Sequence, residues 1–218
     1  MTAGDKLGLV HVYTGEGKGK TSAAMGLSLR AIGQGLNVFI IQFMKGGAYT
    51  GEFISTKNFL PKEKSEIRQY GKRCIKELKQ YKLTGLIGTE KGVDDNKAKF
   101  FDYIREDINC GKCRQCFVND DEQKKLAREA FKHAQEILLS EEYDLIVLDE
   151  INNAVHYNYL SVYEVVELLQ KKAPHIELVL TGRNAHAEII AIADLVTEMK
   201  KIKHYFDDGI LARRGIEY

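Results

Sequence analysis

Short apolar runs recur along the chain and predict buried strands. They cover residues 9–13, 38–43, 144–150, 177–182 and 195–199. Each run is bounded by turn-forming or charged residues and is apolar at most of its positions rather than at alternate ones. This pattern is typical of a parallel sheet that is covered on both faces.

Helical patterns lie between these runs. Residues 21–35 are rich in alanine and leucine and end at glycine, and residues 161–173 open with Ser161 as a predicted N-cap and Glu164 three residues later. Residues 121–139 carry one apolar stripe, made of Leu126, Ala130, Phe131, Ala134, Ile137 and Leu138. Strands and helices alternate, which predicts an α/β fold with an open, mostly parallel sheet and helices on both faces.

Residues 46–120 depart from this alternation. They contain much charge, little apolar periodicity and all four cysteines, which predicts an excursion from the sheet. A chain of 218 residues suits one domain. We therefore expect a single domain over residues 1–218, with a cysteine-bearing insertion at about 48–120.

Composition and charge narrow the range of partners. Lysine plus arginine total 32 against 31 acidic residues, so a net charge of +1 attracts neither nucleic acid nor an anionic membrane. No apolar run approaches the ~20 residues that span a bilayer, and the first residues resemble no targeting signal. We expect a cytoplasmic protein with no nucleic-acid or membrane partner.

The segment YTGEGKGKTSAAMG, residues 13–26, follows the first predicted strand and opens a helix. Its glycines at 15, 17 and 19 allow backbone N–H groups to face phosphate oxygens at a helix N-terminus. Lys20 is placed to reach the terminal phosphates, Lys18 adds positive charge, and the Thr21 hydroxyl is the expected magnesium ligand. The pattern predicts a nucleotide site.

This loop departs from the usual pattern G-x-x-x-x-G-K-[ST]. The position five residues before Gly19 is Thr14 rather than glycine. A β-branched residue resists a positive φ, so we expect Thr14 to continue the strand and the turn to begin at Gly15. The phosphate cradle is then shorter than in most phosphate-loop hydrolases.

A second candidate element is DLIVLDEINNA, residues 144–154. Asp149 and Glu150 follow four apolar residues, which places two carboxylates at the carboxyl end of a buried strand, where open α/β sheets bind ligands. Carboxylate oxygen suits magnesium. The alternative is an acidic start to the next helix, but the phosphate loop favours a metal role.

Three segments resemble the ATP:corrinoid adenosyltransferase family. They are residues 12–47, 143–169 and 177–218, and they carry T-G-x-G-K-G-K-T, L-D-E, T-G-R and K-H-x-F-x-x-G-x-x-A-x-x-G-I-[DE]-Y in order. The resemblance implies a phosphate-loop (RecA-like) NTPase-type fold. It also implies transfer of the 5′-deoxyadenosyl group of ATP to the cobalt of cob(I)alamin or a corrinoid precursor, with release of triphosphate from a loop that holds it in the opposite sense from hydrolases.

The resemblance also implies roles for individual residues. The phosphate-binding set would be Gly15, Glu16, Gly17, Lys18, Gly19, Lys20, Thr21 and Ser22. Thr21 and Glu150 would hold magnesium, and Asp149 would support these ligands without binding the metal itself. Lys20, Thr21, Glu150 and Arg183 are the expected catalytic residues.

Four further positions are open to more than one interpretation. Arg30 sits at a family motif position and would face either the nucleotide or solvent. Phe117 and Tyr70 would be either aromatic side chains that displace the lower ligand of cobalt or core residues. His186 would act at the site, cap a helix or pack. The chain has no tryptophan, so an aromatic residue of some relatives is absent.

The cysteines form a second motif, CGKCRQC. Cys110, Cys113 and Cys116 have successive C-x-x-C spacings, and Cys74 lies about forty residues earlier. Three or four such thiolates predict a zinc site or an iron–sulfur cluster, with unligated thiols as the alternative.

The basic run at residues 62–82 and the family resemblance bear on possible partners, and two rival functions stay open. Residues 62–82 hold eight basic residues against three glutamates, which suits either a solvated helix face or docking of an electron donor such as a flavoprotein or ferredoxin. The resemblance implies a homodimer. The rival functions are a phosphate-loop kinase or hydrolase, and an ATP- and metal-binding sensor without turnover.

Overall fold

A computed structural model describes residues 7–74, 113 and 115–218 of the chain. The strands are β1 Val10–Thr14, β2 Val38–Phe43, β3 Ser65–Tyr70, β4 Leu145–Asp149, β5 Glu177–Thr181 and β6 Leu195–Glu198. The helices are α1 Lys20–Gly33, α2 Gly51–Asn58, α3 Asp121–Leu139, α4 Ile151–His156, α5 Val162–Lys171 and α6 Ala187–Ile192. A 3-10 turn covers Gln115–Phe117.

The six strands form one sheet in the order β3-β2-β4-β5-β1-β6, and every pair is parallel. The open parallel sheet predicted from the apolar runs is therefore confirmed. All strands point the same way, so the residues that follow β1, β2, β4 and β5 collect at one edge of the sheet. We call this edge the carboxyl edge.

Helices cover both faces of the sheet, and the side chains of β2 show why. Val38 and Ile40 pack with α1 and α2 on one face, whereas Phe39, Ile41 and Phe43 pack with α3, α4, α5 and α6 on the other. Successive side chains of a strand point to opposite faces, so a strand buried on both sides is apolar at most of its positions. All six residues of β2 are buried.

The helix predictions are confirmed where periodicity was strong. The helix predicted at 121–139 is α3, with Asp120 as its N-cap through a bond from Gln123 N–H. Ser161 and Glu164 form the predicted capping box of α5. None of the described helices is long and apolar enough to cross a membrane.

The predicted excursion began too early along the chain. Residues 51–58 form α2, and β3 at 65–70 pairs in register with β2, so Val38 lies beside Ser65 and Phe43 beside Tyr70. Charged residues in β3 hid the strand, because it lies at the sheet edge, where polar side chains are tolerated. Within the rest of the predicted insertion, residues 75–112 and 114 lie outside the described part of the chain.

Candidate functional site

The phosphate loop joins β1 to α1 at the carboxyl edge. Thr14 is the last residue of β1, as predicted, and the chain turns at Gly15, whose φ is 96°. Gly19 has a φ of 116° and precedes α1, which begins at Lys20 and has no side-chain cap. The first N–H groups of α1 are therefore available to an anion.

Lys20 curls back over this loop. Its Nζ atom donates to the carbonyl oxygens of Gly15 and Gly17, both at 2.7 Å. Burial lowers the pKa of Lys20, and the nearby carboxylate of Glu150 opposes that effect. The ammonium group thus lies at the centre of the loop, within electrostatic reach of the acidic edge.

The loop glycines also allow a close approach to the chain that follows β6. A β-carbon at Gly15 would lie 2.5 Å from the carbonyl oxygen of Met199, and one at Gly17 would lie 2.7 Å from the same atom. The N–H of Gly17 donates to this oxygen at 2.6 Å. The N–H of Gly17 is thus engaged with the protein, so its predicted phosphate contact stays a prediction.

Asp149 ends β4 and is 1% exposed. Its Oδ1 atom accepts hydrogen bonds from the hydroxyls of Thr21 at 2.8 Å and Thr181 at 2.6 Å. Its Oδ2 atom accepts from Gln42 at 2.9 Å and Lys45 at 2.8 Å. Asp149 therefore ties together the residues at the ends of β2 and β5 and the first turn of α1.

The charge of Asp149 is stabilised from several sides. Burial alone would raise its pKa, but the charge of Lys45 and the hydrogen bonds from Lys45, Thr181 and Gln42 together hold the pKa below its ordinary value. Burial would likewise lower the pKa of Lys45, yet Asp149, Glu52 and Glu150 together raise it well above its ordinary value. Both groups are charged at neutral pH.

Glu150 follows Asp149 with a left-handed backbone, φ 66°, and its N–H donates to the Thr181 hydroxyl at 2.9 Å. Its Oε2 atom is buried and has no hydrogen-bond partner among the described residues. Burial, followed by the charge of Asp149, raises the pKa of Glu150. An unpartnered buried carboxylate oxygen, within electrostatic reach of Lys20 and Lys45, fits the oxygen ligands that magnesium requires.

Arg183 lies just past β5, at the same edge. Its guanidinium is 3.4 Å from the Glu16 carboxylate of the phosphate loop, and the backbone N–H of Arg183 donates to Asn153 Oδ1 at 2.6 Å. The side chain is 56% exposed, so it is free to reorient toward a ligand. His186 instead caps α6 by accepting from the N–H of Glu188, which supports the capping interpretation.

Lys18 contacts the C-terminal segment of the chain. Its Nζ atom donates to Glu217 at 2.6 Å, to the Tyr205 hydroxyl at 2.8 Å and to the Ile216 carbonyl at 3.2 Å. Arg213 bonds Glu217 and lies 4.8 Å from the centre of the Tyr205 ring. The hydrogen bond from Arg213 is the main cause of the lowered pKa of Glu217. These contacts place the C-terminal motif beside the phosphate loop.

Three predicted residues lie apart from this cluster or in the core. Arg30 is exposed in the last turn of α1, about 15 Å along the helix from Lys20, which supports the solvent interpretation. Tyr70 is 1% exposed, and its hydroxyl is 2.6 Å from His133 Nδ1, so it is a core residue. Phe117 is 45% exposed and is not a core residue.

The cysteine prediction gains no support from the described part of the chain. Cys74 and Cys116 are buried, Cys113 is half-buried, and none of these three forms a disulfide. No three histidine, cysteine or acidic side chains converge on a metal position within residues 7–74, 113 and 115–218. Cys110 lies outside the described residues.

The basic run at 62–82 is largely engaged with the protein where it is described. Lys64 donates to the Gly35 carbonyl and Asn37, Arg68 pairs with Glu66, and Lys72 pairs with Asp120. Residues 65–70 of this run are strand rather than helix, so the helix-face interpretation is wrong there. These pairings do not favour docking of an acidic electron donor.

Sequence reasoning missed Gln42, Lys45, Glu52 and Thr181. Gln42 is 0% exposed, accepts from Gln69 of β3 at 2.8 Å and donates to Glu52 of α2 at 3.1 Å. A glutamine inside the apolar run of β2, with a lysine just after it, was the available signal. Polar residues at the end of a fully buried strand lie at the carboxyl edge.

Comparisons with known proteins agree with this geometry. The family model "ATP:corrinoid adenosyltransferase BtuR/CobO/CobP" matches residues 6–98 and 91–218. The chain is 34% identical over 218 residues to a corrinoid adenosyltransferase of Sinorhizobium sp, covering 100% of this chain and 83% of that protein. It is 31% identical over 216 residues to the Escherichia coli K12 corrinoid adenosyltransferase, covering 99% and 88% of the two chains.

A corrinoid adenosyltransferase of Pseudomonas aeruginosa gives the same result, at 32% identity over 218 residues, with 99% of this chain and 86% of that protein covered. The likeness includes the phosphate loop, the acidic end of β4 and the C-terminal segment, which the fold brings to one edge. The chain belongs to the ATP:corrinoid adenosyltransferase family.

Proposed function

We propose that the protein transfers the 5′-deoxyadenosyl group of ATP to the cobalt of a reduced corrinoid and releases triphosphate. The observation that carries this proposal is the hydrogen bond between Thr21 of the phosphate loop and Asp149 of β4, 2.8 Å long, in a chain of this family. It brings a phosphate cradle and an acidic metal-binding edge to one place. The electron pair of Co(I) forms the new bond to C5′, and the bond between C5′ and its oxygen breaks.

In this reaction the protein has no nucleophile to supply, so its residues bind, orient and balance charge. The uncapped N-terminus of α1 and Lys20 would stabilise the negative charge that builds up on the leaving triphosphate. Arg183 lies within electrostatic reach of Lys20 and Glu150 and is placed to add a third positive group. Thr21 and Glu150 would hold magnesium, which supplies charge neutralisation of the triphosphate when bound.

The test is an anaerobic assay with ATP, magnesium and chemically reduced cob(I)alamin, following the corrin absorbance and the phosphate product together. We expect loss of the Co(I) spectrum, a light-sensitive alkylcobalamin and one triphosphate per turnover. Release of ADP or AMP with an unchanged corrin spectrum would instead identify a kinase or hydrolase. ATP binding without any turnover would identify a sensor. Repeating the assay with a corrinoid precursor distinguishes the two acceptors.

We also propose that the protein is a homodimer, and the apolar surface around β6 supports this. Leu195 and Val196 of this edge strand are each 41% exposed, and Ile202 and Phe206 beyond it are 91% and 55% exposed. Several large exposed apolar residues within one short segment, here 195–206, favour a protein interface. Light scattering after size exclusion should give twice the chain mass, and Ile202→Asp should lower it to one chain. A wild-type monomer would refute the dimer.

A further inference from the structure

Lys45 is the cationic side chain at the centre of the acidic edge. It follows Met44, whose φ of 58° turns the chain sharply after β2. Its Nζ atom lies 2.8 Å from Asp149 Oδ2, 3.2 Å from Glu52 Oε1 and 3.4 Å from Thr21 Oγ1. The Lys45 side chain is 16% exposed and that of Asp149 is 1% exposed. Water therefore screens these contacts poorly.

Two of these three contacts belong to the proposed metal site. Thr21 is the proposed hydroxyl ligand of magnesium, and Asp149 holds that hydroxyl by a hydrogen bond of 2.8 Å. A divalent ion bound to Thr21 would lie close to the ammonium group of Lys45. Two cations that share one set of oxygen atoms repel each other strongly where water is excluded.

We propose that Lys45 is a built-in counter-cation that keeps the metal alone from binding and allows it to bind only together with the triphosphate. This inference rests on the proposed magnesium site. The triphosphate brings several negative charges, so the site can then hold both cations. The four-carbon stem of a lysine also lets its ammonium group turn from Thr21 toward phosphate oxygens without leaving the edge. Lys45 thus acts as a positioning residue that sets the order of binding.

The experiment measures binding of Mn²⁺ alone, as a spectroscopic substitute for magnesium, by electron paramagnetic resonance of the full chain without nucleotide. We expect weak binding to the wild type and binding that is tighter by about tenfold or more in Lys45→Met. Lys45→Gln keeps a donor toward Asp149 and serves as a second neutral variant if the methionine variant does not fold. Lys45→Arg keeps the charge and should bind Mn²⁺ as weakly as the wild type.

A matched control is Lys132→Met, which removes one exposed lysine from α3 and should leave metal binding unchanged. Calorimetry of MgATP binding to the wild type tests the proposed site separately. If the wild type binds MgATP but neither neutral variant gains Mn²⁺ affinity, the role of Lys45 is wrong while the proposed function stands. If the wild type does not bind MgATP, the proposed function fails. If Lys45 had only a structural role, replacing it would lower the unfolding temperature without tightening metal binding.

Discussion

Replacing Gly17 by alanine should weaken both the fold and nucleotide binding, because the loop has no space for a β-carbon there. The added carbon would lie 2.7 Å from the carbonyl oxygen of Met199 and 2.9 Å from the carbonyl carbon and oxygen of Lys200. These are backbone atoms, so they cannot turn aside as a side chain would. The φ of Gly17 is not in the left-handed region, so the effect is steric.

The magnitude follows from two losses. Relieving the clash separates the loop from the end of β6 and breaks the 2.6 Å hydrogen bond from Gly17 N–H to Met199, which contributes about 1 kcal/mol. Overpacking of this kind costs about 1–3 kcal/mol more. The free energy of unfolding should fall by about 2–4 kcal/mol in total. Because the phosphate loop itself moves, turnover should fall by about a hundredfold.

The assay combines urea unfolding with calorimetric MgATP binding, and α1 offers a control. A β-carbon at Gly26 meets nothing within 4 Å, so Gly26→Ala should raise the free energy of unfolding by about 0.5–1 kcal/mol. It should leave MgATP binding unchanged. Equal stabilities for the two variants, or normal MgATP affinity in Gly17→Ala, would refute the reasoning about the close approach.

Three further predictions concern other parts of the molecule. Glu150→Gln should abolish magnesium-dependent ATP binding yet raise the unfolding temperature at about pH 7. Burial raises the pKa of Glu150, so the ionised carboxylate destabilises the folded protein at this pH. A lower unfolding temperature for this variant would contradict the conclusion that the carboxylate is buried without a partner. Burial lowers the pKa of His133 below the ordinary histidine value of 6.5, so the folded protein favours the neutral ring. The stability that depends on this neutral ring is complete above pH 6.5 and is lost as the pH falls below that value. Urea unfolding at about pH 8 and about pH 5.5 should therefore show a smaller loss in His133→Gln than in the wild type, and equal losses would show that His133 is not responsible. Ser161→Ala removes the capping box of α5, so the free energy of unfolding measured by thermal unfolding should fall by about 1 kcal/mol and the MgATP affinity should stay unchanged. A changed MgATP affinity would show that α5 contributes to the site.

The sequence by itself determined the elements whose local pattern agrees with their final surroundings. β2 is buried on both faces and is apolar at every position except Gln42, so its run was visible. The capping box at Ser161 and the stripe of α3 depend on neighbours within one or two turns. The phosphate loop was recognisable because three glycines, a strand and a helix start must occur together in the chain. Thr14 belongs to its strand, as predicted, because its β-branched side chain resists the positive φ at which the chain turns.

Tertiary structure alone determined which strands form the sheet and which residues meet at its carboxyl edge. β3 has charged residues and little periodicity, and it is a strand because β2 offers it a hydrogen-bonding edge. Lys45 and Asp149 are separated by 104 residues, and only the pairing of β2 with β4 brings them together. The C-terminal segment follows β6, and the pairing of β6 with β1 brings this segment near the phosphate loop, where Glu217 contacts Lys18. Long-range pairing depends on which buried surfaces meet, and no local pattern encodes that choice.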